Sequence, residues 1–193
     1  MARAGLDEAG RGSVIGPLVV AIFWNEAILE RLDVRDSKQM SPEEREEFFK
    51  KVLPSDYAVK KIMPEEIDKE NINVLEAKAM AELIRKSRAE KIYADLPSVN
   101  RKGFRAMLPK DRDIVLSFKA DEKYKIVSAA SVIAKVIRDR EIEEIRRKTV
   151  DFGSGYPSDK KTIAALQGNF EVLKPYVRKK WKTLERVMQK RLF

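Results

Sequence analysis

Carboxylates gather a cation most easily where strands end, and four acidic residues fall at such places. Asp7 and Glu8 close a first strand pattern, residues 3–7, and enter the glycine-rich turn Gly10-Arg11-Gly12. Asp95 ends the short strand Lys91-Ile-Tyr-Ala-Asp95. Asp121 stands where a fifth strand, residues 113–118, gives way to a helix. Neighbouring strands lie about 4.8 Å apart, so Asp7 and Asp95 share one cluster if the strand carrying Asp95 runs beside the first. Successive side chains of a regular strand point to opposite faces. Glu8 then joins Asp7 only if the strand breaks there, and Gly10 and Gly12 supply the means. Four carboxylates without a basic partner repel one another unless cations neutralise them. Oxygen-only ligands select hard ions, magnesium or manganese. Two such ions about 3.5–4 Å apart can activate a water and stabilise the leaving oxygen of a phosphodiester. Strand-end acids are also ordinary solvated turn residues, and spacing alone leaves both readings open.

Composition narrows the chemistry. The 193 residues include no cysteine and no histidine. Disulfides, thiolate nucleophiles and cysteine–zinc sites are thereby excluded, as are the usual neutral-pH base and a ribonuclease built on two histidines. Any catalysis must rest on carboxylates, lysines, hydroxyls and bound ions. Forty basic against 31 acidic residues leave a net charge of +9, which suits a polyanionic partner and equally describes a salt-bridged surface. The longest apolar run, residues 14–24, is interrupted by Gly16 and Pro17 and falls short of a membrane span. The opening residues carry no apolar signal core. A cytoplasmic protein that meets no membrane is expected.

The elements that must position these acids follow from periodicity. Strands are expected at residues 3–7, 14–24, 56–63, 91–95 and 113–118. Ser41-Pro-Glu-Glu44 reads as a helix start with a capping box. Asn73 caps a helix to about residue 88 with Leu75, Ala79, Met80, Leu83 and Ile84 as its apolar stripe. A short helix spans residues 102–108. A helix from about residue 122 is small and apolar on every side to about Ile137, hence buried, and heavily charged to Lys148. Three consecutive strands followed by helical crossovers imply an α/β fold: a mixed five-stranded sheet flanked by helices. Residues 1–149 are expected to form the main domain, and residues 150–193 a small basic helical subdomain.

Five motifs in order then carry a resemblance. Asp7-Glu-Ala-Gly-Arg-Gly12 with Ser13-Val-Ile-Gly-Pro-Leu-Val-Val-Ala21 resembles the opening signature of the ribonuclease HII (type 2 ribonuclease H) family, especially its archaeal branch. Asp36-Ser-Lys38 resembles its next motif. Lys119-Ala-Asp-Glu-Lys-Tyr124 with Ser128-Ala-Ala-Ser-Val-Ile-Ala-Lys135 resembles its longest block. Gly153-Ser-Gly-Tyr-Pro-Ser-Asp159 and Trp181-Lys-Thr183 resemble its C-terminal motifs.

The resemblance implies the ribonuclease H-like sheet. It also implies an endonuclease that hydrolyses the RNA strand of RNA–DNA hybrids and cuts at ribonucleotides embedded in duplex DNA, leaving 3′-hydroxyl and 5′-phosphate ends. By the same resemblance, Asp7, Glu8, Asp95 and Asp121 hold two Mg2+ or Mn2+ ions. Asp95 is followed by Leu96-Pro-Ser-Val-Asn100, which departs from the small-residue continuation of the family. Gly10, Arg11 and Gly12 would read the 2′-hydroxyl, with Arg11 facing nucleic acid. Lys38 would contact phosphate, and Tyr156 would pack on the sugar after the ribonucleotide. Without the resemblance these are a tight turn, a surface lysine and a loop tyrosine. Lys135, Ser128 and Ser131 read as supports for phosphate or carboxylates, or as packing, and Trp181 as a core residue of the C-terminal subdomain in preference to a base-stacking platform. A monomer is expected. The tail Gln189-Lys-Arg-Leu-Phe193 offers part of a sliding-clamp peptide. The alternatives are a non-catalytic nucleic-acid-binding module and another metal-dependent nuclease of the same fold, such as a resolvase or a deoxyinosine-specific endonuclease.

Overall fold

The computed structural model describes residues 2–31, 40–97 and 100–189. Lys38, with the rest of Asp36-Ser-Lys38, lies outside the described residues, as does the tail beyond Gln189. The strands are β1 (Arg3–Ala9), β2 (Leu18–Phe23), β3 (Tyr57–Ile62), β4 (Lys91–Asp95) and β5 (Asp113–Ser117). They form one sheet in the order β3-β2-β1-β4-β5. β1 pairs antiparallel with β2 across a short connection. β2 pairs antiparallel with β3 although residues 24–56, partly helical, lie between them, so the short second connection expected is not found. β1 pairs in parallel with β4, and β4 with β5, after helical crossovers.

The helices are α1 (Glu26–Leu29), α2 (Pro42–Lys51), α3 (Pro64–Ile67), α4 (Ile72–Lys86), α5 (Arg101–Ala106), α6 (Ala120–Lys123), α7 (Lys125–Lys148), α8 (Lys160–Gly168), α9 (Phe170–Leu173) and α10 (Lys182–Gln189). The capping box forms as the sequence requires. The Ser41 hydroxyl accepts from the Glu44 amide at 3.2 Å, and the Glu44 carboxylate accepts from the Ser41 amide at 2.7 Å.

Strand alternation sorts the core into two layers. Ala4, Leu6, Val20, Ile22, Ile92 and Ala94 face α4, against Ala77, Met80, Leu83 and Ile84. Val19, Ala21 and Phe23 face α7, against Ala129, Ala130 and Ile133. The small residues of α7 let it lie on β1 so closely that a Cβ at Gly5 would sit 2.0 Å from the Ile126 carbonyl oxygen. Only glycine fits there, and that approach brings α7 down onto the strand carrying Asp7.

Four expected elements are redrawn. The helix expected to be capped by Asn73 is capped by Asn71, whose Oδ1 accepts from the Asn73 amide at 2.9 Å. The second strand begins at Leu18 instead of residue 14. Gly16 takes φ +87°, so the chain turns out of the sheet, and Val14 and Ile15 enter a third apolar cluster with Ile142, Ile145, Phe152, Leu166 and Leu173. The first strand runs on to Ala9, because β2 pairs with it beyond Asp7. The expected helix from about residue 122 is two helices, since Tyr124 is extended (φ −127°, ψ 112°) and separates α6 from α7. The third cluster joins the C-terminal helices to the foot of α7 and to residues 14–15. Among the described residues no helix is long and apolar enough to cross a membrane.

Candidate metal centre and adjoining cleft

The register of the parallel pair places the acids. β1 and β4 pair through Leu6 and Ala94, so Asp7 and Asp95 are the next residues on two adjacent strands. Both share the face of the sheet that α7 covers. Asp7 is 6% exposed. Glu8 leaves the opposite face, toward α4, without any break in the strand, which corrects the condition inferred from alternation. It still reaches the cluster: one carboxylate oxygen from each of Asp7, Glu8 and Asp95 lies within 4.8 Å of the others. β4 ends at Asp95, and a glutamate is long enough to reach past a strand end.

The turn into α6 completes the surroundings. Lys119, the residue before α6, adopts a left-handed conformation at φ 53°. A non-glycine residue there is uncommon and strained, a feature that gathers at functional sites. This turn aims the Ala120 amide at Asp95, which accepts its hydrogen bond at 2.7 Å. Asp121, 8% exposed, follows on α6. It lies outside the 4.8 Å set, yet its charge acts on Asp7.

The electrostatics are those of a cation site. Burial, Asp95 and Asp121 push the Asp7 carboxyl up to about 7, against hydrogen bonds from Ser131 and the Glu8 backbone. Burial, Glu76, Asp7 and Asp95 hold Glu8 well above the usual carboxylate range. Glu8 Oε2 is buried and has no hydrogen-bond partner. An orphaned buried carboxylate oxygen among other acids is what a bound cation would satisfy. The donor set is all oxygen and fits magnesium or manganese.

One acid of this group escapes the strand-end argument. Glu76 of α4 is wholly buried, and burial raises it to about 7 against the pull of Arg11. A signal for it exists in the sequence: Glu76 is in phase with Met80 and Leu83 on the apolar stripe of α4. The Arg11 side chain turns inward, ion-pairing with Glu76 and donating to Asn73 Oδ1 at 2.5 Å. The Arg11 guanidinium, expected to face nucleic acid, is thus engaged by α4 in this structure.

The glycine turn and Tyr156 meet across a cleft. Gly10 takes φ +86°, and a Cβ there would lie 2.5 Å from Arg138 Nε and 2.7 Å from the Pro17 carbonyl oxygen. Gly12 is exposed and open, with Tyr156 Cε1 4.0 Å from the position of a Cβ. The Arg138 guanidinium stacks on the Tyr156 ring at 4.5 Å and donates to the Ser154 carbonyl at 2.9 Å. Glu8, Gly10, Arg11, Gly12 and Tyr156 line a cleft of about 370 Å³ together with Arg45, Lys135 and Arg138. Asp139 lines it too, ion-paired with Arg45 and Arg138, so the charged lining mixes Glu8 and Asp139 with basic side chains. Ser131 bonds to Asp7, so of the two readings of that serine the carboxylate support holds. Trp181 is half-buried against the α4 layer of the main sheet and outside the C-terminal cluster, which differs from the expected subdomain core position.

Known proteins resemble the whole chain. The family model described as Ribonuclease HII matches residues 4–184. The Ribonuclease HII of Caldivirga maquilingensis is 43% identical over 99% of this chain and 97% of its own length. The crystal structure of the ribonuclease H2 from Pyrococcus horikoshii superposes with a TM-score of 0.85 at 41% identity, over 100% of this chain and 99% of that one. The ribonuclease HII solved in a complex with PCNA from Archaeoglobus fulgidus has a TM-score of 0.85 at 40% identity, over 94% and 96% of the two chains.

Proposed function

Because this chain belongs to the ribonuclease HII family, we propose that its acidic cluster and adjoining cleft cut the RNA strand of RNA–DNA hybrids and DNA at embedded ribonucleotides. The observation that carries the reading is the juxtaposition of the Asp7, Glu8 and Asp95 oxygens, within 4.8 Å of one another, with a cleft walled by the glycine turn and Tyr156. Asp7, Glu8, Asp95 and Asp121 would hold two divalent ions, magnesium or manganese. Bound there, the ions supply positive charge at the scissile phosphate and lower the pKa of a water.

The chain's own groups orient the substrate. Ser131 and the Ala120 amide fix Asp7 and Asp95, so these carboxylates need little rearrangement on binding a cation. The Gly10-Arg11-Gly12 backbone stands beside Asp7 and can approach a ribose closely, because no side chain projects from Gly12. Amides and carbonyls at that distance can pair with a 2′-hydroxyl, the group that separates RNA from DNA. Tyr156 offers a flat ring to the next sugar, held by Arg138. Arg45, Lys135 and Arg138 set positive charge along the path of the phosphates, and Lys38 adds a further phosphate contact. Residues 150–193 act as the substrate-binding subdomain, and the chain works as a monomer in the cytoplasm. The PCNA complex of the Archaeoglobus relative supports a sliding clamp as a second partner, met by the tail Gln189-Lys-Arg-Leu-Phe193.

One assay tests the reading. The protein is incubated with magnesium or manganese and a DNA duplex carrying a single ribonucleotide, beside all-DNA and deoxyinosine-containing duplexes. Cutting only at the ribonucleotide, abolished by chelation, is the expected result. Cutting at deoxyinosine, or binding without cutting in either metal, would overturn it.

A further inference from the structure

Arg178 is wholly buried, in the segment that joins the C-terminal turn at Lys174–Tyr176 to α10. Among the described residues it forms no ion pair with a carboxylate. Its hydrogen bonds all go to backbone carbonyls of the N-terminal turn: Nη2 to Gly10 at 2.7 Å, Nη1 to Arg11 at 2.8 Å, and Nε and Nη2 to Gly16 at 3.2 and 3.1 Å. The guanidinium also lies 5.0 Å from the Trp181 ring centre, and the Arg178 amide donates to the Val14 carbonyl at 3.0 Å. Burial pushes the guanidinium down to about 9, so it remains charged at neutral pH. A buried cation held by carbonyls is a costly arrangement unless the geometry it imposes is needed.

The geometry imposed is a direction. In a planar trans peptide the C=O and the following N–H point opposite ways. With the Gly10 and Arg11 carbonyls drawn inward onto Arg178, the amides of Arg11 and Gly12 point outward, toward the cleft that Gly12 and Tyr156 line. We propose that Arg178 is a positioning residue for ribose recognition, aiming the Arg11 and Gly12 amides at the substrate through the carbonyls it holds. The proposal rests on the reading that this turn contacts the 2′-hydroxyl. It assigns the C-terminal segment a part in substrate choice through a residue that touches no substrate.

The test compares Arg178→Lys with Gly12→Ala. Lysine keeps the charge, but one nitrogen cannot span three carbonyls. Alanine at Gly12 places a methyl on the open face of the turn, where no backbone strain opposes it. The readout is KM for a single-ribonucleotide duplex against the inhibition constant of an all-DNA competitor, with kcat and thermal midpoint measured in parallel. Loss of about one oriented hydrogen bond should reduce the ratio of these affinities roughly tenfold in Arg178→Lys, with the all-DNA constant unchanged. A purely structural arginine would instead lower the midpoint and weaken both duplexes together, which overturns the proposal. Discrimination lost in Gly12→Ala but kept in a folded Arg178→Lys refutes the role of Arg178 alone. Discrimination kept in Gly12→Ala refutes the reading of the turn, and the proposal with it. Trp181→Leu leaves the guanidinium and removes the ring it stacks on. It should lose part of the same ratio. Should the Arg178→Lys protein fail to fold, unchanged discrimination in Trp181→Leu overturns the proposal.

Discussion

Exchanging Asp7 for Asn should make the metal-free protein more stable, and only where the pH has passed the range of an ordinary carboxylate. Burial and the neighbouring acids raise Asp7 from 3.8 to about 7. Between those values the folded protein retains a proton that the unfolded chain has released, so stability falls as pH rises through the window. Above it the full penalty applies. The difference of about 3 pH units, at about 1.4 kcal/mol each, amounts to about 4 kcal/mol. Asn cannot ionise, accepts the Ser131 hydrogen bond as Asp does, and offers its amide protons to the carboxylates beside it. Part of the gain goes to relaxing those carboxylates, which leaves about 2–4 kcal/mol. For a chain of this size that raises the thermal midpoint by about 5–10 °C. The assay is thermal unfolding followed by circular dichroism, in chelator, from about pH 3 to about pH 8. At the acid end the two proteins should melt together, because Asp7 is protonated in both states. Magnesium should then stabilise the parent protein more than the variant. An equal gain at both ends of the range, or none at the alkaline end, would refute the electrostatic argument and leave Asp7 as an ordinary buried polar residue.

Other perturbations address the same site. Asp95→Asn should lower turnover by more than the roughly 10–100-fold typical of residues that only support a metal ligand, and near-normal turnover at saturating metal would remove Asp95 from the cluster. Tyr156→Ala should lower cleavage at a single embedded ribonucleotide roughly ten- to hundredfold, as about 1–3 kcal/mol of aromatic contact implies. Long hybrids should suffer less and Phe should restore most of the loss; equal losses on both substrates would make Tyr156 a loop residue only. Asp159 is held down to about 2 by hydrogen bonds from the Ser154 amide and hydroxyl and the Lys161 amide. Its stabilising effect should be present above about pH 4 and vanish as pH falls toward 2. Asp159→Asn should therefore lower the midpoint at neutral pH and flatten its acid limb; an unchanged limb on melting would contradict this.

Local pattern determined much of this protein before any tertiary contact was known. Alternation and helical stripes located the five strands and the main helices, because burial on one face imposes periods of two and 3.6 residues whatever the partner. Connection length settled only the antiparallel β1–β2 pair. Residues 24–56, with α1 and α2, join β2 to an antiparallel β3, while the shorter stretch 96–112 joins β4 to a parallel β5, so tertiary pairing decided those directions. The strand-end position of Asp95 was legible from the strand's own periodicity, whereas Asp7 stands two residues inside β1 and Asp121 on α6 beyond β5. Alternation was misleading at Glu8, since the reach of a long side chain past the end of β4 depends on where the neighbouring strand stops. The ends of β1 and β2 were misplaced likewise: pairing partners, and the turn at Gly16, decide where a strand ends. Tertiary structure alone decided which residues guard the turn. Arg11 is as hydrophilic as any surface arginine, yet it turns inward because a wholly buried Glu76 waits on α4. Arg178 stands in the basic run Arg178-Lys-Lys180 with nothing local to mark it. Its burial arises from a meeting of chain ends 162–168 residues apart, and a contact between segments so distant in sequence leaves no period in either.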